Sequence, residues 1–309
     1  MSDKTEFMMK SSNGCNPLHV ITWCKSKEPM AVVQLSHGMI EHIGRYEEFA
    51  SFLAKRGFAV IGHDHVGHGK SVTSQEEWGY FSKENASELL VEDLHQVTKY
   101  AKETYPNVPL VLLGHSMGSF IARRYLMTYG NELQAAILLG TGNQHPLLVK
   151  AGLFLTKLEK LIHNENHRSK LLEFAMFGNY NKKIPNKRTS KDWLTKEIQI
   201  VDDYLKEAAC TFNFTVNGYE TLLKTVDYVI QPKNINKIPK ELPILISSGD
   251  CDPVGEYGKA VKKAYLKMKE AGCKHVTLKL YENDRHELLN ETDREQIYED
   301  IYKFISCQI

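Results

Sequence analysis

Pro109-Leu110-Val111-Leu112-Leu113 runs into Gly114-His115-Ser116-Met117-Gly118 and leaves through Ser119-Phe120-Ile121-Ala122-Arg123-Arg124-Tyr125-Leu126. The first block reads as an apolar strand and the last as a helix. The five residues between them form a tight turn of the pattern Gly-x-Ser-x-Gly. In that context Ser116 is a candidate nucleophile, because a strained strand-to-helix turn lifts its hydroxyl above the carboxyl end of the strand. Gly114 and Gly118 suit the same geometry: strand and helix come so close that a side chain at either place would clash.

Outward from the turn, apolar strands alternate with helices. Strands are expected at Leu18–Cys24, Met30–Ser36, Phe58–Gly62, Ala135–Leu139, Pro243–Ser248 and Val276–Leu280. Helices are expected over 45–56, 86–105, 256–270 and 293–305, the second with Leu89, Leu90, Leu94 and Val97 turned inward. Near-continuous apolar strands of this kind argue an α/β chain with a mostly parallel sheet covered on both faces. Right-handed crossovers then gather the ligand site along the carboxyl edge of the sheet. From Gln144 the strand pattern stops and helix-like segments take over, and it resumes near residue 241. The expected division is a core in two parts, 1–143 and 241–309, with a helical insertion over 144–240 roofing the site.

A serine nucleophile needs a base, and the base needs an acid that orients it. In this architecture the order is Ser, acid, His. Of thirteen histidines, His286 fits best, because the loop that carries it directly follows the last strand. His275 precedes that strand and belongs at the opposite edge. The acid should follow the strand ending at Ser248, where Asp250 and Asp252 both stand, and spacing alone does not choose between them. Two backbone donors should face the developing oxyanion. These are the N–H groups of Met117 and of Met39, the latter reached through the turn His37-Gly38. Glu41 reads as an internal carboxylate anchoring that loop, with Arg45 or His37 as partner.

Some features point elsewhere. His63-Asp64-His65-Val66-Gly67-His68 suggests a metal, but neighbours in a strand face opposite ways, so a turn shaping the floor of the cleft is the better reading. Lys and Arg total 39 against 38 Asp and Glu, a formal charge of +1, and no basic stretch interleaved with aromatics marks a nucleic-acid partner. The six cysteines form no CxxC pair, so neither zinc nor a disulfide framework is expected, and most should be small buried hydrophobes. Residues 1–13 are polar, without the apolar stretch of a secretory leader, and the expected location is cytoplasmic. The leucines between 147 and 162, with Lys150, Lys157 and Lys160 among them, would line an acyl tunnel, rest on a lipid surface, or simply pack on the core.

Taken together, these segments resemble the α/β-hydrolase superfamily, and within it the monoglyceride lipase and lysophospholipase group that is filed with serine aminopeptidases. The likeness spans about residues 15 to 305. His37-Gly38-Met39-Ile40-Glu41-His42, with Arg45-Tyr46 behind it, is similar to the oxyanion-loop signature HGxxEHxxRY. Asp64 to Ser71 is similar to the group's DxxGHGxS turn. The acid-loop pattern GxxD falls on Gly249 and Asp252, so the resemblance assigns the acid to Asp252 and leaves Asp250 a bystander. It implies a helical cap, no cofactor or metal, and a small acyl ester as substrate, of the monoacylglycerol or lysophospholipid type. Catalytic Ser116, Asp252 and His286 would be supported by His37, Gly38, Glu41, Gly114 and Gly118. The alternatives are a broad short-chain carboxylesterase, an aminopeptidase or amidase on the same triad, or a receptor that binds without turnover. An amidase should present a carboxylate of the insertion, such as Glu159, Glu165, Glu173, Asp202 or Asp203, to a substrate amine. Met117 after the serine is the lipase-like form, whereas prolyl aminopeptidases more often carry Trp there.

Overall fold

The computed structural model describes residues 3–309. Its centre is an eight-stranded sheet in the order β1-β2-β4-β3-β5-β6-β7-β8. The strands are β1 (Asp3–Lys10), β2 (Pro17–Cys24), β3 (Val32–Ser36), β4 (Ala59–His63), β5 (Leu110–His115), β6 (Ala135–Leu139), β7 (Ile244–Gly249) and β8 (Val276–Tyr281). From β4 through β8 all pairings are parallel, while β2 runs antiparallel to both β4 and β1. The helices are α1 (Glu47–Ala54), α2 (Ala86–Thr104), α3 (Met117–Tyr129), α4 (Pro146–Ile162), α5 (Lys170–Phe177), α6 (Ile198–Lys206), α7 (Val216–Val229), α8 (Pro232–Ile235), α9 (Lys259–Glu270) and α10 (Arg294–Ser306). This is the α/β-hydrolase fold. Among the described residues no helix is long and apolar enough to cross a membrane.

The apolar runs of the central strands are continuous because each face of the sheet has its own core. Leu110 and Leu112 of β5 and Ala136 and Leu138 of β6 point to the side of α2, α3 and α7. Val111, Leu113, Ala135, Ile137 and Leu139 point to the other side, where they meet Phe49 and Leu53 of α1 and Ile297 and Ile301 of α10. The two-residue period of a strand divides one run between two cores.

Three expectations are corrected. The amino-terminal stretch forms the edge strand β1, paired along β2 from Asp3↔Cys24 to Lys10↔Pro17. Its alternate residues Phe7 and Met9 pack inward and Met8 outward, a short apolar run that the flanking Lys4, Glu6 and Lys10 obscure. The helix expected from 256 begins at Lys259, because Glu256, Tyr257 and Gly258 hold positive φ and cannot continue a helix. Only Cys210 and Cys273 are buried; Cys15 and Cys307 are exposed, Cys24 and Cys251 half-buried, and all six are free thiols.

Helices α4 to α8 fill the stretch between β6 and β7. One of them, α7, is welded to the body: Tyr219, Leu222, Val226 and Val229 share a core with Ile121, Tyr125 and Leu126 of α3. In contrast, α4 and α5 leave Leu147, Leu148, Phe154, Leu161, Ile162, Leu171 and Phe174 exposed.

The glycines of the elbow are explained by proximity. A Cβ on Gly118 would lie 2.0 Å from the Ser36 carbonyl oxygen, and one on Gly114 would lie 2.4 Å from that of Gly118 and 2.8 Å from Ala122 Cβ. Backbone stands on the other side in both cases, so no side chain can swing away. Gly118→Ala is expected to destabilise the fold by about 2 kcal/mol or more through overpacking. A lowered urea midpoint with an unchanged m-value is the measurement, and an unchanged midpoint would refute the close-approach account.

Candidate active site

Ser116 follows β5 and caps α3 with φ 51° and ψ −120°. For a residue with a Cβ this is a strained conformation, typically costing about 1–3 kcal/mol. It is held from three sides. The Ser116 N–H donates to the Leu139 carbonyl at 2.9 Å, its own carbonyl accepts from Ser119 Oγ at 2.6 Å, and α3 starts at the next residue. The side chain opens into a cavity of about 450 Å³, whose walls include Met39, Met117, Phe120, Trp193 and His286 on one side and Val149, Leu155 and Met176 on the other.

His286 lies on the loop after β8, with Nδ1 3.0 Å from Asp252 Oδ2. Asp252 is wholly buried after β7. Its carboxylate accepts from Ser248 Oγ at 2.9 Å and from the Val254 N–H at 2.8 Å. Burial is the largest influence on this group and favours the neutral acid, yet His286 and the two donors together hold its pKa below the usual value. Asp250 does different work: it accepts the Asn283 N–H at 2.8 Å and closes the turn facing the His286 loop. His275 stands exposed at the start of β8, 3.4 Å from Glu241, at the far edge of the sheet.

The loop after β3 is built around Glu41. One oxygen accepts from the Gly38 N–H at 2.5 Å and Tyr46 Oη at 3.0 Å, and lies 3.1 Å from His115 Nδ1. The other accepts from Arg45 at 2.8 Å. Arg45 then grips Glu287, beside His286, with two hydrogen bonds of 2.8 and 2.7 Å. Burial works to neutralise Glu41, but His115 and Arg45 hold its pKa well below the normal range. Arg45 is thus the ionic partner, whereas His37 turns away. Its Nδ1 meets the Gly38 carbonyl at 2.8 Å and its Nε2 accepts from the His65 N–H at 2.9 Å. Gly38 lies so close to the elbow that a Cβ there would sit 3.1 Å from Ser116 Cβ and 2.6 Å from Glu41 Oε1. Met39 follows it into the cavity wall. Met117, as the first residue of α3, has an amide with no intrahelical acceptor.

Several contacts are absent from the sequence reading. Gly140, at φ 57°, sits beneath the histidine; a Cβ there would be 2.9 Å from His286 Cε1. Its position directly after a β6 strand at the sheet's carboxyl edge was the available signal. Trp193 packs its ring 5.1 Å from that of His286. The segment carrying it is laced to the histidine loop: the His286 and Glu287 N–H groups donate to Trp193 and Leu194 carbonyls at 3.4 and 2.7 Å. Arg285 donates to the carbonyls of Asp192 and Thr195 at 2.5 and 3.0 Å.

Behind the oxyanion loop, His37, His63, His65 and His68 are buried together. Ring centroids lie 4.3 Å apart for His37–His65 and 4.8 Å for His63–His65. Among the described residues these rings do not form a three-ligand set around one point. Asp64 instead accepts from the N–H groups of Ile43 and Lys70 at 2.7 and 2.8 Å, pinning the oxyanion loop to the glycine turn. None of Glu159, Glu165, Glu173, Asp202 and Asp203 lines the cavity.

Comparison with known proteins follows the same lines. The family described as serine aminopeptidase, S33, matches residues 27–293. The chain is 30% identical to the monoglyceride lipase homolog of monkeypox virus over 272 residues, covering 88% of this chain and 87% of that protein. It is 30% identical to mouse monoglyceride lipase over 274 residues, 87% of this chain and 79% of the relative. A thermostable carboxyl esterase from Bacillus coagulans, solved with glycerol, superposes with a TM-score of 0.91 at 30% identity, covering 99% and 98% of the two chains.

The histidine cluster has a consequence for stability. Burial, reinforced by neighbouring imidazoles, lowers all four pKa values, those of His63 and His68 to about 3. Between that range and an unfolded value near 6.5 the unfolded chain takes up protons that the folded chain refuses, so acidification favours unfolding. His19 and His115 titrate in the opposite sense: against burial, Asp64 and Glu41 raise their pKa values, and their stabilisation grows as pH falls. With four groups against two, the urea midpoint is expected to drop from pH 7.5 to pH 5.5, and less so in His63→Leu. A midpoint that rises over that interval would contradict this balance.

Proposed function

The chain belongs to the serine aminopeptidase S33 family and is an α/β-hydrolase acting on carboxylic esters, and we propose that its substrates are monoacylglycerol- or lysophospholipid-type acyl esters cleaved by Ser116, His286 and Asp252. One observation carries the reading. A serine held at positive φ opens into a largely apolar cavity that His286, backed by buried Asp252, also walls. Ser116 Oγ attacks the ester carbonyl while His286 Nε2 takes its proton. The carbonyl oxygen becomes an oxyanion facing the N–H groups of Met117 and Met39, where one such donor typically contributes about 3–4 kcal/mol. His286 then returns the proton to the departing alcohol, leaving an acyl-serine. Water, deprotonated by His286, attacks the acyl carbon; the fatty acid leaves and Ser116 regains its proton. Asp252 keeps Nδ1 protonated and stabilises the imidazolium that forms twice per cycle.

Residues 144–240 act on this reading as a cap, since Val149, Leu155, Met176 and Leu223 close the cavity opposite Ser116. The outward residues Leu147, Leu161, Ile162, Leu171 and Phe174, with Lys150 and Lys157 nearby, form a face suited to a lipid surface. The aminopeptidase alternative lacks its carboxylate, because none of Glu159, Glu165, Glu173, Asp202 and Asp203 lines the cavity. Glu165 pairs with Lys160, Glu173 accepts from Asn213, and Asp202 pairs with Arg188.

Wild type, Ser116→Ala and Asp252→Asn should be compared on 4-nitrophenyl esters of graded length, monoacylglycerols, lysophospholipids and aminoacyl amides. Wild type is expected to favour monoacylglycerol or lysophospholipid, Ser116→Ala to lose all acyl-enzyme turnover, and Asp252→Asn to lose roughly 10⁴ in kcat. Faster cleavage of amides than of matched esters would overturn the substrate class, and turnover by Ser116→Ala the mechanism. Replacing Leu161 and Phe174 by serine should weaken binding to phosphatidylcholine vesicles without changing hydrolysis of a soluble short-chain ester. Equal vesicle binding would remove the lipid-surface role.

A further inference from the structure

The carboxyl end of α4 repeats a potential ligand every four residues: Glu159, His163 and His167. Glu159 and His163 share a helix face by their i, i+4 spacing. The helix ends at Ile162, and the turn through Asn164, at φ 106°, brings His167 back beside them. One carboxylate oxygen and one nitrogen of each imidazole all lie within 4.8 Å of one another. The two rings are stacked, with centroids 4.2 Å apart.

Two observations distinguish this group from an ordinary polar surface. Glu159 is only 8% exposed, yet its carboxylate makes no hydrogen bond among the described residues, and its ion-pair partner, His167 Nε2, stands 3.8 Å away. The neighbouring cation does not serve it, for Lys160 is drawn off to Glu165 at 2.8 Å. Secondly, the ligand positions are built on anchored backbone. Glu159 lies within α4, the His163 N–H donates to its carbonyl at 2.9 Å, and the His167 carbonyl accepts from the Val216 N–H at 2.8 Å at the start of α7. The other triplets of this kind are already engaged. Asp284, Glu291 and Asp293 surround the Lys196 ammonium, and both ring nitrogens of His42 are occupied, by the Gly44 N–H and by Glu207.

We propose that Glu159, His163 and His167 form a binding site for a first-row divalent cation, Zn²⁺ foremost. Two imidazoles and a carboxylate are the borderline donor set that zinc takes, with water completing the tetrahedron on the open side. At metal–nitrogen distances of about 2.0–2.1 Å the ligand atoms of a tetrahedron stand about 3.3 Å apart. The triangle must therefore tighten, and the exposed ring of His163 has the freedom to do so. Binding requires both imidazoles neutral at the ligating nitrogen, so it weakens as pH falls through the histidine range. The site lies away from Ser116 but on the helix that gives Val149, Gly152 and Leu155 to the cavity wall. An ion there would clip the end of α4 to the turn anchored on α7. The inference is independent of which ester is cleaved.

The test is calorimetric titration of Zn²⁺ into the full chain, alongside His163→Ala, His167→Ala and Glu159→Gln, with thermal unfolding of each with and without the ion. The exposed thiols of Cys15 and Cys307 are common to all four proteins and cancel in the comparison. Wild type is expected to take up one more equivalent than either histidine variant, to release it to EDTA, and to gain a zinc-dependent rise in Tm that those variants lack. Glu159→Gln should weaken that equivalent at least tenfold. Equal stoichiometry and equal Tm shifts in wild type and the histidine variants would overturn the site, as would the absence of any zinc uptake by wild type.

Discussion

Arg45 is the ion on which the site's geometry depends. It is buried between two carboxylates, Glu41 on the loop after β3 and Glu287 on the loop after β8. Glu41 in turn fixes the Gly38 amide and reaches His115 of the elbow. Thus the three loops carrying Met39, Ser116 and His286, which come from distant parts of the chain, are tied through one guanidinium. A charge buried in this way is costly to leave unpaired, and removing one partner of such a group typically costs about 3–5 kcal/mol. That penalty is what keeps loops, the least constrained part of an α/β fold, in register with one another. Tyr204 extends the tie into the insertion: its ring lies 4.9 Å from the guanidinium carbon and its hydroxyl donates to the Ile40 carbonyl.

Much of this arrangement was legible along the chain. The run from Pro109 to Leu126 announces strand, turn and helix because each segment has its own period and the turn its own glycines. His286 was legible by topology, since the loop after the last parallel strand must end near the elbow. The choice between Asp250 and Asp252 was legible only through the GxxD resemblance and not from spacing, because both stand on the same loop. Their roles divide on contacts made by residues far along the chain, Asn283 for one and His286 for the other. Gly140 and Trp193 were hidden for a related reason: nothing local distinguishes a glycine after a strand, or a tryptophan in a polar stretch, until the fold brings His286 to it. The buried histidines illustrate the pull of composition against strand geometry. Their density alone would suggest ligation, but the alternation of a strand argued for a turn instead, and burial keeps them neutral.

The insertion is not of one character. Its last long helix, α7, shares a core with α3, while its first two carry an outward apolar surface. The difference follows from what each covers. Helix α7 packs on α3 and also lends Leu222, Leu223 and Val226 to the cavity wall, whereas α4 and α5 turn one face to the cavity and leave apolar residues of the other exposed.

The lacing of residues 192–195 to the loop of His286 has a mechanical consequence. The hydrogen bonds between these segments run to the stretch of chain that carries His286, so that part of the roof cannot lift without drawing its ring away from Asp252. The two parts of the roof are therefore held unequally: residues 192–195 by hydrogen bonds to the His286 loop, α4 and α5 with an outer apolar face left exposed. On the mechanism proposed above, a shift of α4 or α5 would leave the contact between His286 and Asp252 untouched.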